Sequence, residues 1–256
     1  MDGHMNEMSI QDKDNLLQIQ SIVNENMVEW ALQKTYEYAK LMSYYKCAMM
    51  EIETKFNVLN EEFSLQFDRQ PINSIKTRLK NPISIRQKLS VKGYELSLES
   101  IKQNLHDVAG IRVVCSFIED VYMLAEALLK QDDITLIETK DYIKNPKGNG
   151  YRSLHLIVAV PIFLQHEKRT MRVEIQLRTI AMDSWASLEH QLRYKKDITL
   201  DEAAQWELRY CADLSAQLDE RMNAMKKRLN TYPENSTQQI KDVRRIIVDD
   251  LEGEEK

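Results

Sequence analysis

The sequence predicts an α+β fold: a small mixed β-sheet surrounded by helices, with long helices at its N- and C-terminal ends. Three observations predict it. Residues 15–56 and 200–229 carry apolar side chains at helical spacing, in steps of 3, 4 or 7. Between them, β-branched or alternating runs are separated by turn residues and short helical patterns. The chain has only six glycines, none of them between Gly3 and Gly93, so little interrupts a helix in its first third.

The elements follow in order. In the first helix, from about Asn15 to Phe56, a stripe is formed by Met27, Ala31, Tyr38, Leu41, Tyr45, Ile52 and Phe56. Pro71 marks a turn before Ile75–Lys80, which receives no element, and Asn81-Pro82 marks another. Pro82–Lys88 starts a helix, because the N–H that proline lacks has no intrahelical partner in the first turn. Ile111–Phe117 is a β-branched run and predicts a strand. Glu119–Lys130 predicts a helix, with acids at its start, where the dipole favours them, and Leu124 and Leu128 on one face. Ile134–Lys140 is a second strand, Asp141–Asn149 a loop, and Ser153–Val160 a third strand.

Thr170–Leu177 is a fourth strand, and it alternates strictly. Met171, Val173, Ile175 and Leu177 take one face; Arg172, Glu174, Gln176 and Arg178 take the other. Ile180–Tyr194 predicts a helix. Leu200–Leu229 predicts a longer one, with Trp206, Tyr210, Leu214, Leu218, Met222, Met225 and Leu229 spaced by 4 or 3. Residues 1–15, with the internal start-like Met5, form a leader that is disordered or a cloning remnant. Residues 16–230 are the folded domain, and 231–256 a polar tail with a short helical pattern at Ile240–Leu251.

Composition narrows the class. The chain has 256 residues, 43% of them hydrophobic and 29% charged, as a soluble globular protein does. Its net charge of −5 argues against generic double-stranded DNA binding and leaves room for a local basic site. Cys47, Cys115 and Cys211 are odd in number and lack CxxC spacing, which points to reduced thiols and a cytoplasmic location. No signal peptide and no apolar run long enough to span a bilayer is evident, so no membrane association is expected.

Several segments can carry chemistry. Arg78, Lys80, Ser84 and Lys88 cluster around a turn and a helix start, a fitting cradle for a triphosphate; a solvated charged helix is the plainer alternative. Asp107 precedes a strand that opens near Arg112, and suits Mg²⁺, which takes one or two carboxylates plus phosphate oxygens. His106-Asp107 also spells a dipeptide of metal-dependent phosphohydrolases, but only His4 precedes it, and such sites need further upstream histidines. Gly148-Asn149-Gly150-Tyr151 presents an aromatic ring on a glycine-flexed loop, able to stack a base. His155 lies further along the same strand, suited to a phosphate or a local carbonyl. Trp185 and Glu189 are i,i+4 neighbours suited to packing and positioning.

Together the segments resemble the RelA/SpoT-type alarmone synthetase domain. The matching blocks run in the family's order from Arg78-Leu79-Lys80 through His106-Asp107-Val108-Ala109-Gly110-Ile111-Arg112 and Lys140-Asp141-Tyr142-Ile143. They continue through Pro146 to His155, Val173 to Thr179, and Trp185-Ala186 with Glu189-His190. With neither the hydrolase nor the regulatory domains of long family members, the chain looks like a small alarmone synthetase of nucleotidyltransferase-like fold.

The resemblance implies transfer of pyrophosphate from ATP to the 3′-hydroxyl of GDP or GTP, yielding AMP and the stringent-response alarmones ppGpp or pppGpp. It implies that Arg78 and Arg112 hold adenine, and that Lys80, Ser84 and Lys88 bind the ATP phosphates. Asp107 and Glu174 would be catalytic and would ligate Mg²⁺, with Glu174 also a candidate base. Tyr151 would stack guanine, with Asn149 and Gln176 near its edges and Lys147 and His155 at the acceptor's 5′ phosphates. It also implies a homotetramer packed through flanking helices. Toxic relatives offer alternatives, with tRNA or adenine nucleotides as acceptors; a non-catalytic domain that binds nucleotide or RNA is a third.

Overall fold

A computed structural model describes residues 10–67, 69–194 and 201–230, with side chains for 32–66, 69–192 and 201–229. Helix α1 (Ile10–Phe67) leads into strand β1 (Ile72–Leu79), then α2 (Pro82–Val91), α3 (Leu98–Asn104) and β2 (Ala109–Cys115). Helix α4 (Ile118–Leu129), β3 (Thr135–Asp141), β4 (Leu154–Phe163) and β5 (Lys168–Thr179) follow, then α5 (Ile180–Tyr194) and α6 (Glu202–Asn230). The five strands form one sheet in the order β1-β2-β5-β4-β3. Only the central β2–β5 pair is parallel; the others are antiparallel. The predicted α+β class with a small mixed sheet is what forms.

Register sorts the sheet into two faces. Thr77, Ile111, Ile175 and Leu156 line up across it, as do Ile75, Val113, Leu177 and Leu154. Apart from the partly covered β1 edge, this face is the core. Helices α1 and α4 cover it: Tyr45, Ile52 and Phe56 of α1, with Leu124 and Leu128 of α4, are fully or almost fully buried. The opposite face carries Lys76, Arg112, Gln176, His155 and Lys140 in one row, and Arg78, Gly110, Glu174 and Ile157 in the next. Sheet geometry thus delivers charged groups from five strands to one surface.

Some boundaries differ from expectation. Helix α1 begins at Ile10 rather than near Asn15, and runs to Phe67 rather than Phe56, because neither glycine nor proline intervenes before Pro71. Met27 and Ala31 of its predicted stripe lie outside the residues with described side chains, and residues 1–9 and 231–256, including the pattern at Ile240–Leu251, lie outside the described residues altogether. The segment left without an element is edge strand β1, and α3 was not anticipated. The α6 stripe from Trp206 to Leu229 faces outward, whereas Ala212, Ala216 and Asp219 face the body.

Candidate active site

A cavity of about 300 Å³ opens on the charged face, bordered by Arg78, Lys80, Asp107, Arg112, Glu174 and Gln176. Gly110 lies between Arg78 and Glu174 in register, so no side chain fills the floor between them. Asp107 sits just before β2. Lys80, at the end of β1, is held by its N–H to the carbonyl of Val108 at 2.8 Å. Its ammonium reaches Asp107 Oδ2 at 2.7 Å, and Lys88 from α2 reaches the same oxygen at 2.6 Å. Burial pushes the Asp107 carboxyl up, but hydrogen bonds and charge from Lys80 and Lys88 outweigh it and hold the carboxyl below its ordinary value.

The other oxygen, Asp107 Oδ1, is buried and has no protein partner. Such an oxygen is costly unless a ligand satisfies it. Glu174 lies close enough for the two carboxylates to repel: burial and Asp107 push the Glu174 carboxyl up, while His155 and Gln176 outweigh them and bring it down. Among the described residues no cluster of three or more His, Cys, Asp or Glu could hold a metal by itself. Two carboxylates and an unsatisfied oxygen suit Mg²⁺, whose remaining ligands would come from phosphate and water.

Ser84 stands apart from the cavity lining, on the first turn of α2, where its N–H donates to the capping Asn81 side chain at 2.7 Å. The cap fixes α2, and with it Lys88, over Asp107.

The glycine-flexed loop forms the second half of the site. Gly150 N–H donates to the Lys147 carbonyl at 2.8 Å, and Asn149 Oδ1 accepts from Tyr151 N–H at 3.2 Å. Asn149 also donates to Glu189 of α5 at 3.3 Å, so its amide is engaged in holding the turn. Helix α6 clamps the loop: Arg209 donates to the Gly148 carbonyl at 2.6 Å. The Trp185 indole of α5 donates to the Leu208 carbonyl of α6 at 2.9 Å, tying the two helices behind it. The Lys147 ammonium lies over the Tyr142 and Tyr151 rings at 4.6 and 4.8 Å.

Tyr151 joins this loop to the strand carboxylate. Its hydroxyl is 2.8 Å from His155 Nε2 and accepts from Arg178 Nη2 at 2.7 Å. The opposite ring nitrogen, His155 Nδ1, is 3.7 Å from Glu174 Oε1. Gln176 donates to Glu174 Oε2 at 2.9 Å and accepts from Arg178 at 3.1 Å. His155 is thus turned inward between Tyr151 and Glu174, and Gln176 sits at the boundary of the two halves. Sequence reasoning assigned no role to Lys76, Asp183 or Arg209, and read Arg178 only as a cation able to offset the charge of Glu174. Arg178 had a signal, its place on the polar face of β5; the roles of Asp183 and Arg209 arise only from contacts made by folding.

A mixed sheet that gathers cations and two carboxylates beside a tyrosine-bearing loop is suited to a nucleotide-dependent transferase of phosphate groups. The chain belongs to the RelA/SpoT family: residues 77–199 match the region found in RelA / SpoT proteins. It is 41% identical over 186 residues to GTP pyrophosphokinase YwaC of Bacillus subtilis (strain 168), covering 73% of this chain and 89% of that one. The crystal structure of small alarmone synthetase 2 from Bacillus subtilis superposes with a TM-score of 0.68 at 39% identity, over 75% of this chain and 98% of that one. Small alarmone synthetase 1 from the same organism, solved bound to its product pppGpp, gives 0.69 at 30% identity, over 77% and 99%.

Proposed function

We propose that this protein transfers the pyrophosphate group of ATP to the 3′-hydroxyl of GDP or GTP. The carrying observation is Asp107 at a cation-lined cleft, one of its oxygens buried and unpartnered, with Glu174 linked through His155 to the Tyr151 hydroxyl. The 3′-oxygen would attack the β-phosphorus of ATP; the bond from that phosphorus to the bridging α,β-oxygen breaks and AMP departs. The 3′-hydroxyl proton would pass to Glu174, whose carboxyl is held ionised. Little covalent help is needed, so positioning and charge neutralisation dominate.

Arg78 and Arg112 would bracket adenine, and Lys80, Lys88 and Ser84 would meet the ATP phosphates. Mg²⁺ held by Asp107 and Glu174 would neutralise charge on the transferred group. Tyr151 would stack guanine, with Lys147 at the acceptor's phosphates, displaced from the ring as the base enters. Asn149 and His155 serve in our reading by shaping the loop and aligning Glu174, and Gln176 remains close enough to both halves to meet the guanine edge. The exposed α6 stripe supports a homo-oligomer, with a tetramer as the expected size. Free Cys47, Cys115 and Cys211 support a reducing, cytoplasmic setting. No described helix is long and apolar enough to cross a membrane.

Incubation with γ-labelled ATP and each candidate acceptor tests the reading. Label should appear in ppGpp or pppGpp with release of AMP, and disappear with chelator. Label on tRNA or an adenine nucleotide alone would replace it with one of the toxic-relative activities.

A further inference from the structure

Asp183 lies in the first turn of α5, and its side chain is 12% exposed. Arg178 Nη1 and Arg112 Nη1 approach the same oxygen, Oδ1, at 3.0 and 3.2 Å. Lys76 Nζ is 4.0 Å from Oδ2. The two arginines belong to different halves of the site. Arg112 stands on β2 and lines the donor cavity. Arg178 stands on β5 and holds the Tyr151 hydroxyl.

We propose that Asp183 is a positioning residue that couples the two nucleotide sites, so that filling one improves the geometry of the other. The proposal rests on the pyrophosphokinase reading. Two partly buried guanidiniums repel at this range, and burial together with Arg178 disfavours the charge on Arg112, which Asp183 favours. One carboxylate oxygen is therefore shared between both heads, and Arg178 is held in addition by the Tyr151 hydroxyl and Gln176. Neither arginine has a partner at its buried Nε, so little else constrains their approach from that side. The carboxylate itself is seated independently of either nucleotide. Thr179 Oγ1 accepts the Met182 N–H at 3.1 Å and donates to Asp219 Oδ2 of α6 at 2.6 Å, fixing the turn that bears Asp183.

An arginine shifted by adenine would move its share of that oxygen, and the other arginine would follow and carry Tyr151 with it. An ordinary structural ion pair would stabilise the fold without linking the two affinities.

Calorimetric titration of the full chain with a non-hydrolysable ATP analogue and with GDP, each alone and in the presence of the other, tests the link. In the wild-type protein each nucleotide should tighten the other by the same factor, about 5- to 100-fold, because linkage is reciprocal. Asp183→Asn should weaken both nucleotides and abolish the mutual factor. Asp183→Glu keeps the charge for a protein that must fold, moves it by one methylene, and should retain binding while reducing that factor. Arg112→Ala, which removes one end of the link, should weaken the ATP analogue and abolish the mutual factor as well. Wild-type protein that binds both without mutual effect, or either Asp183 variant with an unchanged factor, overturns the inference alone. Wild-type protein that binds neither nucleotide overturns the pyrophosphokinase reading and the inference with it.

Discussion

Gly150 lies directly against Ala212: a Cβ added to the glycine would sit 2.5 Å from the alanine Cβ, and its φ of +89° is one that L side chains rarely adopt. The tip of the 148–151 loop therefore rests on α6 with backbone against side chain, and no other residue fits without displacement. Gly150→Ala should cost about 1–3 kcal/mol of stability and displace Tyr151. kcat/KM for the guanine nucleotide should fall by roughly ten- to a hundred-fold. Adding Ala212→Gly relieves the clash but leaves the unfavourable φ, so rescue should be partial. Steady-state kinetics and thermal melts of the single and double variants check this; full activity in Gly150→Ala would mean that the loop is not held against α6.

Asp107→Asn and Glu174→Gln should each lower kcat by about 10²-fold or more, since the proposed mechanism places both where charge develops. Tyr151→Ala should mainly raise KM for the guanine nucleotide, because stacking is present in ground and transition states alike. The KM for ATP should change little. Kinetics with each substrate varied in turn, after circular dichroism confirms folding, separate the roles. A raised ATP KM with the acceptor spared would exchange the two sites.

The Asp107 carboxyl is held below its ordinary value of 3.8 by two lysines, after burial is overcome. A depressed carboxylate contributes stability that is fully present above its unfolded value and is lost as pH falls through the folded one. Wild-type protein should therefore lose stability more steeply than Asp107→Asn as pH drops from about 5 to about 2. Urea midpoints across that range test it, and parallel curves would show that the lysine pairs contribute nothing to folding.

Trp206, Tyr210, Leu214, Leu218 and Met222 are all exposed on the outer side of α6, and Trp206 stacks on Tyr210 with ring centroids 5.4 Å apart. Light scattering coupled to size exclusion should give a multimeric mass, with a tetramer expected. Leu214→Glu with Leu218→Glu should lower that mass while leaving the fold intact by circular dichroism. A monomeric wild-type protein at micromolar concentration would rule out this use of the stripe.

Purified protein should also release no pyrophosphate from added ppGpp. Within these 256 residues only His4 stands ahead of His106-Asp107, and a phosphohydrolase site of that type draws on further histidines. Pyrophosphate released from ppGpp would show a second activity.

Local pattern carried much of this into the sequence. The alternation of Met171 to Leu177 told which side chains would meet the core and which the cleft, because a strand has a period of two whatever it pairs with. The proline at 82 placed the start of α2. Strand β1 stayed hidden because Ile72–Leu79 is an edge with one buried residue and no apolar alternation. Helix α3 has only seven residues, too few for a periodic signal. The sharing of Asp183 by Arg112 and Arg178 joins β2 to the β5–α5 corner, and no local spacing encodes such a meeting. The turn partners of Asn149, Glu189 and the Tyr151 amide, are defined only once the loop has closed, so no local spacing encodes them.

Among the described residues β5 is the last strand in sequence, yet it lies between β2 and β4. Until it inserts, the β1–β2 pair and the β3–β4 hairpin share no strand, and the charged face exists only as two separate fragments. A chain emerging from the ribosome therefore cannot assemble the cleft until residue 179 is free, and α6 must then follow to seat the acceptor loop. Non-local parallel pairing of this kind is slow to form. Catalytic competence thus waits for β5: a nascent or truncated chain that lacks it keeps Arg78, Lys80, Asp107 and Arg112 but has neither Glu174 nor Gln176 to complete the cleft.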